Sequence, residues 1–75
     1  MKLIEIKLDR IRLGKTQGDM ARDLGITQAV YGFKERGMTK FTMPERAKLA
    51  EILGYTEEEA KEKIFDDILI FLPQG

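Results

Sequence analysis

The sequence contains no histidine, cysteine, serine, tryptophan or asparagine. Without cysteine or histidine, the usual ligand sets for zinc, iron–sulfur clusters and haem cannot be assembled. The absence of cysteine also excludes disulfides and a cysteine nucleophile. The absence of serine excludes a serine nucleophile, and the absence of histidine excludes a histidine general base. An enzyme would have to use carboxylates, Lys, Tyr or Thr alone, and the sequence pattern brings no pair of such groups together. We therefore expect no enzyme activity, no metal site and no cofactor.

Long apolar runs are lacking as well. No stretch approaches the roughly 18 residues that span a membrane, and the charged segment Met1-Lys2-Leu3-Ile4-Glu5 does not match a secretion signal. We expect no membrane partner. The 75 residues suffice for one small domain, and 43% hydrophobic with 35% charged residues favours a folded chain over a disordered one. A separate ligand-sensing domain would need more residues, so we expect no small-molecule ligand.

The net charge is zero, with 13 basic and 13 acidic residues, and this total by itself indicates no partner. The charges are unevenly distributed, however. Residues 1–48 carry 11 Lys and Arg against 6 Asp and Glu, a net of +5, whereas residues 49–75 carry 2 against 7, a net of −5. A basic first part suits the neutralisation of phosphates, and the acidic second part should face away from a nucleic acid.

Apolar periodicity and capping residues predict five helices, over about 2–13, 17–24, 28–35, 43–53 and 57–65. In the first of these, Leu3/Ile4, Leu8 and Ile11 recur at steps of three to four residues, which indicates one apolar helix face. The other four begin after a residue that can cap a helix N-terminus, a threonine in each case: Thr16, Thr27, Thr42 and Thr56.

The second and third predicted helices are separated only by Gly25-Ile26-Thr27. Two short helices joined by a three-residue turn that contains glycine form a helix-turn-helix, and Gly25 adopts a left-handed backbone at little cost. DNA binding and a plain corner in a small helical bundle are both consistent with this pattern. Gly32 lies inside the third helix, where glycine costs about 1 kcal/mol relative to alanine. Close approach of another backbone would explain it.

The wider pattern resembles the Cro/phage-repressor (XRE-type) helix-turn-helix family over about residues 4–65. The resemblance implies a compact five-helix, lambda-repressor-like domain that is all-α and dimeric, and that binds double-stranded operator DNA through its third helix. It also implies a phage or bacterial regulator in the cytosol or nucleoid. The residues that carry it are Arg10-Ile11-Arg12-Leu13-Gly14-Lys15-Thr16-Gln17, Met20-Ala21, Leu24-Gly25-Ile26-Thr27, Tyr31, Lys34-Glu35, Gly37, Phe41-Thr42, Glu45, Leu49-Ala50-Glu51-Ile52-Leu53-Gly54 and Ile64-Phe65.

The resemblance also implies roles for individual residues. Gln28 begins the third helix and is expected to read a base, because a Gln amide can bond adenine N6 and N7 together. Gln17 is expected to contact a phosphate and to brace Gln28. The expected base contacts are Gln28, Ala29, Gly32 and Phe33, with Phe33 placed against a thymine methyl. The expected phosphate contacts are Gln17, Thr27, Lys34, Arg36, Thr39 and Lys40.

Several of these residues have a simpler interpretation. Phe33 is equally consistent with a core position beside Val30, since residues three apart share a helix face. Thr27 can act as a cap alone, Lys34 and Arg36 as solvated surface charges, and Tyr31 is expected in the core. The low polarity of helix 3 also suits an alternative function, a protein-interaction module such as an antirepressor or modulator that binds a repressor.

The last ten residues, 66–75, form an apolar tail beyond the predicted domain of residues 1–65. Its conformation is ambiguous between a strand and a continuation of the fifth helix. We expect it to form a homodimer interface, because a two-fold dimer reads two half-sites about one DNA turn apart. Folding back on helices 1 and 5 of the same chain is the alternative. The expected interface residues are Ile68, Leu69, Ile70, Phe71 and Leu72.

Overall fold

A computed structural model describes residues 1–68 of the chain. Within this range the structure contains five α-helices and no strand: α1 (Leu3–Arg12), α2 (Gln17–Leu24), α3 (Gln28–Glu35), α4 (Met43–Ile52) and α5 (Glu57–Lys63). The predicted all-α fold with five helices is confirmed, and each boundary lies within two residues of its prediction. None of these helices is both long and apolar enough to cross a membrane.

Threonine side chains fix the start of four helices, as predicted. The Thr16 hydroxyl accepts from the Asp19 amide at 3.0 Å, and the Asp19 carboxylate accepts from the Thr16 amide at 2.9 Å. Thr42 with Glu45 and Thr56 with Glu59 form the same reciprocal capping box. At α3 the Thr27 side chain accepts from a backbone amide, but the reciprocal bond to the Thr27 amide is not formed. A cap of this kind stabilises its helix by about 1 kcal/mol. The helix boundaries are therefore set locally.

The core lies where α1, α2, α3 and α4 meet the turn after α5. Tyr31 of α3 is fully buried and meets the ring of Phe41 edge-on, with ring centroids 5.9 Å apart. This edge-to-face contact is a favourable aromatic geometry. The buried apolar residues are Ile6, Met20, Ala21, Tyr31, Phe41, Leu49, Leu53 and Ile64. The expected core position of Tyr31 is confirmed.

The buried face of α1 differs from the one that its apolar periodicity predicts. Ile4, Leu8 and Ile11 are 70%, 45% and 53% exposed, so most of the predicted apolar face points to solvent, while Leu3 is partly buried against the core. The face that packs inward carries Ile6 and Arg10, four residues apart and therefore one above the other on the helix. The prediction of the face was wrong because Arg10, a charged residue, occupies a core position.

Arg10 is buried because a carboxylate from α3 binds it. Its Nε donates to Glu35 Oε2 at 2.8 Å and its Nη2 donates to Glu35 Oε1 at 3.1 Å. The Tyr31 hydroxyl donates to the same carboxylate at 2.7 Å, and the Gln17 amide donates at 3.0 Å. This buried cluster, Arg10, Gln17, Tyr31 and Glu35, connects α1, α2 and α3 through one carboxylate.

The electrostatics of the buried cluster follow from these contacts. Burial by itself would raise the pKa of Glu35, but the hydrogen bonds from Arg10, Tyr31 and Gln17 outweigh burial, and the pKa is lowered. The hydrogen bond to Glu35 raises the pKa of Arg10, and burial together with Glu35 raises the pKa of Tyr31. Glu35 is therefore held as a carboxylate, and Arg10 and Tyr31 stay protonated.

A second ionic contact holds the chain that follows α5. Arg46 of α4 is buried and donates to the Ile64 carbonyl at 3.2 Å and to Asp67 at 2.7 and 3.1 Å. Residues 66–68, which the sequence places in the tail, thus begin against the helical body. The half-buried Ile68 is the first of the five expected interface residues. The other four, and the predicted strand or helix extension, lie outside the described residues.

The buried pair gives a stability prediction. Arg10→Met should lower the free energy of unfolding by about 3–5 kcal/mol, because Glu35 keeps a buried charge without its cation. Adding Glu35→Gln should recover part of this loss, with a coupling of about 0.5–3 kcal/mol in urea denaturation. Arg12→Met, on the same helix but 69% exposed, is the control and should cost less than about 0.5 kcal/mol. Equal losses for Arg10→Met and Arg12→Met would contradict the role of the pair.

Acid should destabilise the fold through the same carboxylate. The pKa of Glu35 in the folded chain lies below its ordinary value of 4.5, so its contribution is complete above that pH and is lost as the pH falls through the lowered pKa. The free energy of unfolding, measured from about pH 5 to about pH 3, should fall more steeply in the wild type than in Arg10→Met/Glu35→Gln. Equal slopes would assign the acid sensitivity to other carboxylates.

Candidate nucleic-acid interface

The turn between α2 and α3 holds the two helices against each other. Gly25 has a φ of 72°, in the left-handed region, and the Ile26 amide donates back to the Ala21 carbonyl at 2.9 Å. Ala21 is buried, and its small side chain permits the close crossing of α3. The Thr27 hydroxyl then accepts from the Val30 amide at 3.2 Å and starts α3. The structure therefore contains the helix-turn-helix that the sequence predicts.

An open recess runs along the outer face of α3. Positions 28, 32 and 36 follow one another at four-residue steps along the helix, and 29 and 33 form the adjacent row. All four expected base contacts line this recess, together with two of the six expected phosphate contacts: Gln17, Gln28, Ala29, Gly32, Phe33 and Arg36. We call these six residues the α3 recess.

Gln28 stands at the N-terminal end of the α3 recess and is exposed. Its side-chain oxygen lies over the start of α2, where a Cβ on Gly18 would be 3.2 Å away. Gln17 was expected to brace Gln28, but its amide nitrogen donates instead to Glu35, at the opposite end of α3. The side chain of Gln17 is thus positioned by the buried cluster, and Gln28 keeps its amide available to a ligand.

Gly32 is buried in the middle of the α3 recess by two side chains and not by another backbone. A Cβ at this position would lie 3.2 Å from Arg36 Nη1 and 3.6 Å from Gln17 Oε1. These two side chains pass over the helix at Gly32; a methyl group would be tight against Arg36 Nη1, the end of a flexible side chain, and in ordinary van der Waals contact with Gln17 Oε1. Among the described residues, no backbone outside α3 lies within 4 Å of this position, so the close backbone approach that the sequence suggests is not found.

Phe33 and Val30 lie on the surface. Phe33 is 40% exposed and Val30 is 38% exposed, so the interpretation that both belong to the core is wrong. One face of the Phe33 ring is covered by the Arg36 guanidinium, whose central carbon lies 5.4 Å from the ring centroid. Phe33 therefore presents an aromatic surface beside Gly32, on the outer side of α3.

The expected phosphate contacts outside the α3 recess fall in different environments. The Lys34 ammonium lies 2.5 Å from Glu45 Oε1, and both side chains are nearly covered, at 12% and 13% exposed. Lys34 is therefore paired within the fold. Thr39 and Lys40 are exposed and line a neighbouring recess beyond Gly37. Thr27 uses its oxygen as a helix cap and keeps its hydroxyl hydrogen for a further acceptor.

One exposed cation near the α3 recess was not anticipated. Lys7 of α1 lines a cleft with Gln17, Glu35 and Arg36, next to the α3 recess. The sequence does not indicate that Lys7 lies near α3, because it does not show how α1 is oriented against α3. The role of the buried residue Arg10 as a support of the site was also missed. The only local signal for Arg10 was its position four residues after Ile6.

Residues 6–59 match a protein-family model described as Helix-turn-helix. The match covers more than two thirds of the chain and contains α2, the turn and α3 complete. Comparisons with curated proteins and with solved structures give no match. The matched family is one of DNA-binding regulators and not of enzymes. This chain belongs to the helix-turn-helix family of DNA-binding transcription regulators.

Proposed function

We propose that this protein is a small Cro- or repressor-like regulator that binds a specific double-stranded operator with α3 in the major groove. The observation that carries the proposal is the α3 recess. Its four expected base contacts lie together on one open face of a helix, and a B-DNA major groove is wide enough for a helix. Occupying the operator would regulate transcription, in the cytosol or nucleoid of a bacterial cell.

Gln28 is the residue that we assign to direct base readout. It stands at the N-terminal end of α3, which is the end that approaches base edges in helix-turn-helix docking. Its exposed amide carries both a donor and an acceptor, the pair that adenine N6 and N7 require. Ala29 and Gly32 add little hydrogen bonding, so Gln28 supplies much of the direct readout from the first two turns of α3.

Phosphate contacts would orient α3 in the groove. Lys40 and Thr39 are exposed beyond the C-terminal end of α3, and Thr27 lies at its N-terminal end. Cations and hydroxyls on both sides of a recognition helix fix its register on the duplex. Lys34 would have to break its ion pair with Glu45 in order to bind a phosphate. We therefore assign more of the phosphate binding to Lys40.

The second candidate function is a protein-interaction module that binds a repressor or another regulatory protein. The exposed apolar side chains on and beside α3 favour it: Val30 is 38% exposed, Phe33 40% and Met38 67%. Such side chains suit a protein partner. A complex with a regulatory protein that does not weaken with salt, together with no DNA binding, would select this function.

We also propose that the protein acts as a homodimer through residues 68–72. Two copies related by a two-fold axis would place their α3 helices in successive major grooves. The run Ile68-Leu69-Ile70-Phe71-Leu72 contains five large apolar residues, and burial of such residues stabilises association.

DNA binding is tested by selection from a random duplex library, followed by mobility shifts with the selected site at two salt concentrations. Gln28→Ala should weaken binding to this site by about 1–3 kcal/mol and relax the preference at one base pair. Lys40→Ala should weaken binding to all sequences alike and reduce the slope of log K against log salt by about one.

The control for these measurements is Lys61→Ala. Lys61 is an exposed lysine on the acidic helix α5, and its removal should leave both affinity and salt slope unchanged. Circular dichroism should show the same helix content in all three variants. A wild-type protein that enriches no sequence and shows no salt-dependent binding would contradict the proposed function.

The dimer is tested by light scattering at tens of micromolar protein. The full chain should have the mass of two copies, and deletion of residues 69–75 should reduce it to one copy with unchanged helix content. A tail that instead folds back on its own chain would leave the full protein monomeric, and the deletion would lower the unfolding midpoint. That result would overturn the proposed interface.

A further inference from the structure

Arg36 lies on the same helical row as Gln28 and Gly32. The three positions are four residues apart, so their side chains follow one another along the outer face of α3. Arg36 lines the α3 recess with the expected base contacts, and its guanidinium passes over Gly32 in the middle of the helix. A side chain in this position would lie between α3 and the base edges when α3 occupies a major groove.

The guanidinium of Arg36 is held in place by its neighbours. It covers the Phe33 ring at 5.4 Å from the centroid, a cation–π contact, and its Nη2 lies 4.0 Å from the sulfur of Met38. A cation–π contact of this kind favours one placement of the guanidinium before a ligand arrives.

The charge of Arg36 is not neutralised within the described part of the chain. Ion pairs engage the four other arginines, Arg10, Arg12, Arg22 and Arg46, and Arg36 has no carboxylate within ion-pair distance among residues 1–68. An exposed, oriented and unneutralised guanidinium is a binding group for a planar pair of acceptors. In a major groove, such a pair is presented by O6 and N7 of guanine.

We infer that Arg36 reads a guanine in the operator, and that Gly32 and Phe33 serve to position it. The inference rests on the proposed DNA-binding function and changes the role of Arg36 from phosphate contact to base contact. It also changes the role of Phe33, which supports the guanidinium with its ring face. The recess then offers two hydrogen-bonding readers, Gln28 for adenine and Arg36 for guanine, on either side of the small residues Ala29 and Gly32.

The test compares the motifs selected from a random duplex library by the full-length wild type, Arg36→Lys and Arg36→Ala. The wild type should prefer guanine at one position of each half-site by about five- to 150-fold. Arg36→Ala is decisive, because it removes every donor and should lose this preference while keeping the others. Arg36→Lys keeps a donor and the charge but lacks the planar fork, so it should show a weaker guanine preference than the wild type. Guanine preference retained in Arg36→Lys and Arg36→Ala would overturn the inference and leave Arg36 a phosphate contact.

A modified base provides an independent measurement. Replacing the selected guanine with 7-deazaguanine removes the N7 acceptor while leaving the base pair intact. The wild type should bind this duplex several-fold more weakly, whereas Arg36→Ala should bind the modified and unmodified duplexes equally. If 7-deazaguanine lowers the affinity of the wild type and of Arg36→Ala equally, a residue other than Arg36 contacts the guanine N7.

Gly32→Ala tests the positioning role. The added methyl would lie 3.2 Å from Arg36 Nη1, the far end of a flexible side chain, so the guanidinium should move while the helix persists. Helix content and unfolding midpoint should be maintained, since alanine favours a helix over glycine, while the guanine preference falls. Arg12→Lys, an exposed arginine on α1, is the control and should select the wild-type motif. An unchanged guanine preference in Gly32→Ala would contradict the positioning role.

The outcomes separate this inference from the proposed function. If the wild type selects no motif, the DNA-binding function fails and Arg36 has no base to read. If the wild type selects a motif that is unchanged in Arg36→Ala, the DNA-binding function stands and the inference about Arg36 is wrong.

Discussion

The buried ion pair between Arg10 and Glu35 is the contact on which the arrangement of the first three helices depends. One carboxylate receives the guanidinium from α1, the Tyr31 hydroxyl from α3 and the Gln17 amide from α2. Because four donors converge on Glu35, none of the three helices can rotate without leaving a buried polar group unpaired, which costs about 1–3 kcal/mol or more. The pair thus fixes the outward face of α3.

The buried cluster of Arg10, Gln17, Tyr31 and Glu35 also positions side chains of the α3 recess. Gln17 donates to Glu35 and also covers Gly32, so one side chain links the buried support of α3 to the surface that we propose faces DNA. Arg36 covers the other part of Gly32 and rests on Phe33. A small helical domain without histidine or cysteine can in this way present oriented polar groups, because their supports are themselves hydrogen-bonded in the interior.

The features that the sequence predicted well are those with local causes. The N-caps at Thr16, Thr42 and Thr56 depend on residues three positions away, and the turn at Gly25 depends on its own backbone. The inward face of α1 was predicted wrongly because its burial depends on Glu35, 25 residues after Arg10. A count of apolar residues assigns Ile4, Leu8 and Ile11 to the interior and cannot foresee a paired charge there.

The sequence by itself determined the helices, the helix-turn-helix and the family, since caps, periodicity and glycine turns act over a few residues. It also placed the expected base contacts on one helix, because residues four apart share a face. Only the tertiary structure decided which charges are free to bind. Lys34 pairs with Glu45, 11 residues away, whereas Arg36 lies over Gly32 and Phe33 with no carboxylate within ion-pair distance among residues 1–68. The physical reason is that an ion pair between helices depends on their packing, which residue spacing within one helix does not specify.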